Sequence, residues 1–305
     1  MENNVQMTLF QRVQLGMLWH TCRGFAKLPY WLRYSVIESI IFFVLYYGIR
    51  YRKKVVKENL RNSFPEKSKL ELFLIRRKFY RTLAEMFVDT ISLAGITDKQ
   101  AQNLARYTHV KEHTALVKGS DWIAMMAHFG CWEYGPLWGI YDPQQVVVAV
   151  YHPLRSVVMD EFYQRLRKQH NAETVAMNEY IRFYLRHREH GLDGKNFAMG
   201  LIADQNPPLR PNSHWFRFLN QDTVFFDGGE KLALKCHLPV YFTYMKRIRR
   251  GCYEITFEQI YDGTEEVAEN EITERYVRRL ETMIQEHPEL WMWSHRRWKH
   301  KRNEC

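Results

Sequence analysis

Residues 122–133 read WIAMMAHFGCWE, an apolar run followed at once by a histidine, a glycine and, five residues past the histidine, a glutamate. A short uncharged run of this kind suits a strand buried on both faces of a sheet. His128 then stands at the strand's carboxyl end, where open α/β sheets gather ligands and chemistry. On one continuous helix, with about 3.6 residues per turn, a five-residue spacing would turn the two side chains about 140° apart. Gly130 permits a sharp turn instead, which lets Glu133 swing back against the imidazole. A carboxylate there would fix the tautomer and stabilise the cation formed on proton uptake. The pair is therefore expected to take a proton from a hydroxyl. No G-x-S-x-G elbow accompanies it, so the base is expected to act directly on an acceptor, without a covalent intermediate. Taken alone, the same letters also describe a core histidine beside an unrelated exposed glutamate.

Outward from this run, strand candidates at Val146–Tyr151, Phe197–Ala203, Pro239–Met245 and Tyr253–Ile260 alternate with helical stretches. Helices are expected over Glu71–Ala94, Val158–Lys168, Asn178–Arg188, Gly229–Cys236 and Thr273–Glu286. In the first of these, Leu72, Ile75, Phe79, Leu83, Met86, Phe87 and Ile91 recur at helical spacing. The alternation predicts an α/β fold, a mixed sheet covered by helices. There is no internal repeat, no low-complexity linker and no glycine-rich phosphate loop. The simplest partition is an amino-terminal helical segment, 1–57, and one body, 58–305.

That first segment contains Leu28–Ile49, LPYWLRYSVIESIIFFVLYYGI, followed by Arg50, Arg52, Lys53, Lys54 and Lys57. Its charge-free part runs only from Ser39 to Ile49, short of the roughly 20 apolar residues of a clean span. No small-residue cleavage site follows it, so a removed signal peptide is not expected. Trp31, Tyr34, Tyr46 and Tyr47 near its ends, with the basic cluster beyond, suit a membrane-anchoring helix that is embedded or shallowly inserted. A buried core helix is the other reading.

Lys+Arg number 44 against 34 Asp+Glu, a formal charge of +10, which favours nucleic acid, anionic lipid or an acidic carrier protein without choosing among them. Aromatic residues make up 15% of the chain, in keeping with lipid-facing grooves as well as a core. Cys22, Cys131, Cys236, Cys252 and Cys305 are scattered, with no C-x-x-C pair. That argues against a zinc site or a disulfide framework and fits a reducing compartment. His109, His113, His187 and His190 show no metal-ligand spacing and are expected at the surface, so no metal is expected.

Further motifs follow the same order along the chain. Asn59-Leu60 and Asn62-Ser63-Phe64-Pro65-Glu66 come directly after the basic cluster. FAMGLIADQNPP, Phe197–Pro208, sets Asp204 and Gln205 just past an apolar run. Lys246, Arg247, Arg249 and Arg250 form a basic turn, either solvated or a dock for an acidic carrier or lipid phosphate. The tail from His287 to Lys299 reads HPELWMWSHRRWK. As a helix interleaving Trp291, Trp293 and Trp298 with Arg296, Arg297, Lys299, Lys301 and Arg302, it would suit a membrane interface. The same composition stacks on nucleic acid.

Together these motifs resemble the bacterial lipid A biosynthesis acyltransferase family, the late acyltransferases of the lysophospholipid-acyltransferase-like superfamily. The resemblance runs from the apolar amino-terminal segment to Lys299. Its H-x-x-x-x-[DE] element is shared with many glycerolipid acyltransferases; ADQNP and WSHRRWK are more specific. It implies a glycerolipid-acyltransferase-like fold and transfer of a fatty acyl group from an acyl-carrier-protein thioester, or acyl-CoA, to a hydroxyl of a phosphorylated glycolipid. That acceptor would be a lipid A precursor in lipopolysaccharide biosynthesis, at the cytoplasmic face of the inner membrane, with no cofactor and no nucleic acid partner. By motif matching, His128 is the general base and Glu133 its partner. Arg167 of YQRLRK, or its neighbour Arg165, matches a family arginine near the site. Asp204, with Gln205 beside it, matches the second strand-end motif as a substrate-binding element. This chain has Asn206-Pro207-Pro208 where the family often has an aromatic residue and glycine, which points to a different acyl or acceptor preference. Two alternatives stand beside it: an acyltransferase for another membrane lipid, a glycerophospholipid or aminolipid, and a non-catalytic basic protein of the membrane surface. Thioester consumption separates the last from the others.

Overall fold

The run Trp122–Met126 is buried at every position because it forms an inner strand of a seven-stranded sheet, with partners on both edges and cover on both faces. The computed structural model describes residues 7–302. The amino-terminal helices are α1 (Leu9–Ala26), α2 (Leu32–Gly48), α3 (Lys53–Ser63) and α4 (Lys69–Ser92). They lead through α5 (Asp98–Leu104), β1 (Ala105–Tyr107) and α6 (Val110–Leu116) to β2 (Trp122–Met126). A 3₁₀ segment, Trp132–Ile140, precedes β3 (Gln145–Tyr151), α7 (Val157–Arg167), β4 (Ala172–Ala176), α8 (Tyr180–His187) and β5 (Asn196–Ile202). A short ribbon, β6 (Trp215–Phe218) and β7 (Gln221–Val224), is followed by α9 (Gly228–Cys236), β8 (Val240–Arg249), β9 (Cys252–Tyr261) and α10 (Glu271–Glu286).

The sheet order is β1-β9-β8-β2-β5-β3-β4. Its pairings are parallel except for the β8–β9 hairpin, so the sheet is mixed, as the sequence predicts. All five strand candidates lie in it. The two strands of this sheet that sequence analysis omits, β1 and β4, are its two edges; the ribbon strands β6 and β7 are also omitted. An edge strand is paired on one side only and keeps polar letters, as in AETVA of β4, so its apolar signal is weak.

The segment before Lys57 packs into the body. α1 begins with a capping box, Thr8 with Gln11, and sets Trp19 and Cys22 into the core, Trp19 lying edge-on to Phe162 of α7 at 6.0 Å. α2 buries Tyr34, Glu38, Phe42 and Tyr46 on the side toward α4. On its other side Val36, Ile40, Phe43, Val44 and Tyr47 are exposed, a stripe at helical spacing. The chain then turns by 88° into α3, through Arg50 and Arg52 in the left-handed region. Among the described residues no single helix is long and apolar enough to cross a membrane.

Three expectations need correction here. The basic turn is solvated only in part: Lys246 and Arg249 are exposed, while Arg247 and Arg250 are held by the fold. Arg247 donates to Glu85 at 3.1 Å and reaches Glu289, while Arg250 donates to the Tyr34 carbonyl at 2.8 Å and lies 3.6 Å from the buried Glu38. Buried carboxylates on α2 and α4 demand these cations, a tertiary requirement the local letters do not reveal. His113 is not at the surface but boxed by Trp122, Trp138, Tyr241 and Phe257. Burial lowers its pKa to about 4, which keeps it neutral. The tail is not a helix, as described below. Cys22, Cys131, Cys236 and Cys252 are free thiols, and Cys305 lies outside the described residues.

Candidate active site

β2 and β5 are parallel neighbours, with Met126 opposite Ile202, so the loops after them emerge side by side. The first carries His128 and the second Asp204 and Gln205. Asp204 Oδ1 lies 2.7 Å from His128 Nδ1, and Asp204 Oδ2 accepts the His128 backbone N–H at 3.0 Å. Only 2% of Asp204 is exposed. Burial opposes its charge, but the His128 imidazole and the hydrogen bonds from His128 and Trp291 outweigh it and hold the carboxyl below its usual range. An ionised Asp204 favours the tautomer with the proton on Nδ1. Nε2 of His128 is then free to accept; the Gln205 amide nitrogen lies 3.2 Å from Nε2 and 3.3 Å from Nδ1, over the ring. The side chain of His128 is 20% exposed and Trp132 stands edge-on to it at 4.8 Å. Such an imidazole can take a proton at Nε2 from a hydroxyl brought up to it.

Gly130 makes the predicted turn, at φ +53, and a Cβ there would lie 2.5 Å from Tyr253 Cε1. The turn does not bring Glu133 to the imidazole, contrary to the sequence expectation. The 3₁₀ segment starts one residue earlier and aims Glu133 at α7, where Arg167 grips both its oxygens, Nε to Oε2 at 2.8 Å and Nη2 to Oε1 at 2.6 Å. A buried carboxylate is stable only beside a cation held in such geometry, and Arg167 supplies it. Desolvation disfavours the charge of Arg167, but Glu133 more than compensates and raises its pKa. Of the two arginines, Arg167 is the one placed at Glu133; Arg165 is exposed and stacks over Trp19, 4.1 Å from the ring centroid.

His128, Glu133, Arg167 and Gln205 line a single cavity of about 790 Å³, with Asp204 directly behind His128. The cavity runs mainly along one face of the sheet, with Met125, Val150 and Leu201 of the other face also bordering it. Trp122, Ala124, Met126 and His128 alternate along one strand and its end, Ala198, Gly200 and Ile202 along the next, Val147, Ala149 and Tyr151 along the third. The middle of the floor is built of small residues, Ala124, Ala149, Ala198 and Gly200, the 3₁₀ segment supplies Gly135 and Pro136, and Tyr107, Trp122, Trp138 and Phe257 close the far end. At about 3.3 Å per residue, the slot from His128 to Trp122 is roughly 20 Å long. It is apolar within and polar at the mouth.

The tail closes the site from behind. After α10 it runs as an irregular strap, with Trp291, Trp293, Arg297 and Trp298 buried and only Arg296 and Lys299 of its cations through Lys299 exposed. Trp291 Nε1 donates to Asp204 Oδ2 at 2.8 Å. Pro288 and the demand of the Asp204 loop for donors prevent the continuous helix expected from the letters. Sequence reasoning assigned these rings to an interface and missed their place behind the site; the density of Trp and Arg was the signal. Among the described residues no group of three or more His, Cys, Asp or Glu is placed to hold a metal ion.

Compared with known proteins, the chain matches the family model described as bacterial lipid A biosynthesis acyltransferase over residues 12–300. No curated protein matches it.

Proposed function

Because the chain belongs to the bacterial lipid A biosynthesis acyltransferase family, we propose that it moves a fatty acyl group from an acyl-carrier-protein or coenzyme A thioester to a hydroxyl of a phosphorylated glycolipid precursor of lipid A. The observation that carries this reading is the slot: a long, blind, apolar channel whose mouth is an imidazole with an aspartate behind it. A fatty chain fits the channel extended, and its thioester carbon then lies beside His128. The acceptor hydroxyl gives its proton to His128 Nε2 and attacks the thioester carbonyl. The carbon–sulfur bond breaks, and the leaving thiolate recovers the proton from the imidazolium. Asp204 keeps Nδ1 protonated throughout and stabilises the cation between the two proton transfers. Glu133 and Arg167 hold the wall beside the reacting carbon, and Lys299 at the rim offers a charge to acceptor phosphate.

The test is transfer by the purified chain from fatty thioesters of graded length to a lipid A precursor, followed by mass spectrometry. Wild-type protein should add one acyl chain. Ala198→Leu, which fills the channel floor, should shift the preference to shorter chains. Hydrolysis without transfer would overturn the acceptor, and no thioester consumption would overturn the enzyme reading.

Helices α1 and α2 set the site against a lipid surface in this proposal. Leu9, Phe10, Val13 and Met17 are exposed on α1, and the α2 stripe is exposed beside the exposed Trp31 and Ile49. Arg50, Lys54 and Lys57 follow with their side chains in solvent. Apolar side chains backed by cations suit shallow insertion into an anionic leaflet on the cytoplasmic side. Ile40→Asp with Phe43→Asp should abolish flotation with anionic vesicles while leaving the melting temperature in place. Undiminished flotation would remove α2 from the membrane contact.

A further inference from the structure

We propose that Trp291 is a positioning residue of the reaction, its indole N–H fixing the orientation of Asp204 and, through it, the tautomer of His128. The inference rests on the acyl-transfer reading of His128 given above. Asp204 has two oxygens with separate duties. Oδ1 faces His128 Nδ1 at 2.7 Å, while Oδ2 accepts the His128 backbone N–H at 3.0 Å and Trp291 Nε1–H at 2.8 Å. With Oδ2 held by two donors on different segments, the carboxylate cannot rotate Oδ1 away from the ring without losing both. A buried carboxylate without the indole would keep one donor on Oδ2 and a softer rotation.

The donor is itself held in place. Gly130 N–H donates to the Leu290 carbonyl at 2.9 Å and Met292 N–H to the His128 carbonyl at 3.0 Å, so Trp291 lies between two backbone bonds that tie the strap to the His128 loop. Its ring is 1% exposed, with Trp293, Phe218 and Trp298 at 4.7, 5.8 and 5.9 Å. Six residues on, the fully buried Arg297 donates to Asn206 Oδ1 at 2.8 Å, and Asn206 returns a bond to the Arg296 carbonyl at 2.7 Å. The strap therefore grips the loop at Asp204 and again at Asn206, with Gln205, whose amide lies over the His128 ring, bracketed between. Among the described residues Arg297 has no carboxylate in contact; it donates to Asn206, Thr223 and the Val224 carbonyl, and burial brings its pKa down to about 10 against the pull of Asp204. Its place is to hold the strap, and the indole acts on the reacting groups through Asp204.

Two substitutions separate positioning from packing. Trp291→Phe keeps a large apolar ring and removes the N–H; Trp291→His fills the space less well and keeps an N–H donor. If the ring only packs, phenylalanine is the milder change in both stability and rate. If the indole positions Asp204, phenylalanine should melt nearer to wild type yet turn over more slowly than histidine. For Trp291→Phe we expect kcat to fall about tenfold or more, the worth of one hydrogen bond to a charged group, with the KM for a dodecanoyl thioester of acyl carrier protein changed by no more than about twofold. A second readout needs no substrate: the proton between His128 Nδ1 and Asp204, assigned by its loss in His128→Ala, gives a proton resonance downfield of the amides. In Trp291→Phe that resonance should move or broaden, and in Trp291→His it should stay nearer its original place. A wild-type kcat for Trp291→Phe, or an unmoved resonance in it, overturns the proposal. Failure of wild-type protein to transfer an acyl group would instead strike the acyl-transfer reading, and the resonance would still decide the role of Trp291.

Discussion

Replacing Asp204 by asparagine is expected to lower kcat by about 10⁴, the cost seen when the carboxylate behind a catalytic imidazole becomes an amide. An asparagine at 204 can turn its amide toward Nδ1, and the imidazole then carries its proton on Nε2, where no lone pair meets the acceptor hydroxyl. The imidazolium formed in the reaction also loses its counter-charge. His128→Ala should be comparably severe, since loss of a general base commonly costs about 10²–10⁴-fold. The two losses should not multiply in the double variant, because they remove one unit. Asparagine retains the shape of Asp204 and its acceptor oxygen for Trp291, so a melting curve near wild type is expected and shows that the rate, and not the fold, has changed. Turnover of Asp204→Asn within tenfold of wild type would detach the aspartate from the mechanism, and an active His128→Ala would end it.

These expectations differ from what the letters suggested, and the reason is physical. The body was legible because its inner strands are continuous apolar runs. Trp122–Met126, Gln145–Tyr151 and Asn196–Ile202 each need a core on both faces, and nothing but a covered sheet provides it. His128, Asp204 and Gln205 were legible one at a time, since each follows such a run directly. Their partnership was not. Which carboxylate meets the imidazole depends on β2 and β5 being neighbours 76 residues apart in sequence, and on the direction in which a 3₁₀ segment leaves Gly130. Local spacing favoured Glu133 because it was near in sequence; the fold brought Asp204 nearer in space. The same holds for Arg247 and Arg250, whose partners lie on helices far earlier in the chain. The tail shows the limit from the other side. Trp291, Trp293 and Trp298 carry the composition of an interfacial helix, and only the loops they meet decide that they are buried.

Glu133 and Arg167 now form a prediction of their own. Arg167→Ala should destabilise the protein by about 3–5 kcal/mol, because it strands a carboxylate whose side chain is 5% exposed. Arg167→Lys keeps the charge but cannot make both parallel bonds, and loss of one bond between charged groups, about 1.5–3 kcal/mol, should slow turnover roughly tenfold to a hundredfold if the wall shifts with it. Added salt should not restore the rate, since the charge is present and the geometry is missing. Arg165→Lys, on the exposed face over Trp19, should change turnover little. The neutral pair Glu133→Gln with Arg167→Gln then separates structure from chemistry. It carries no stranded charge and should regain most of the stability lost in Arg167→Ala. If the ion pair only braces the wall, turnover returns with stability. If the guanidinium, which lines the cavity beside His128, also meets anionic oxygens of donor or acceptor, stability returns and turnover does not. The second outcome is expected, because the Nη1 of Arg167 is not used by Glu133 and a two-pronged cation at the mouth of an acyl channel suits phosphate or a thioester oxygen. Full activity in the neutral pair would confine Arg167 to the fold.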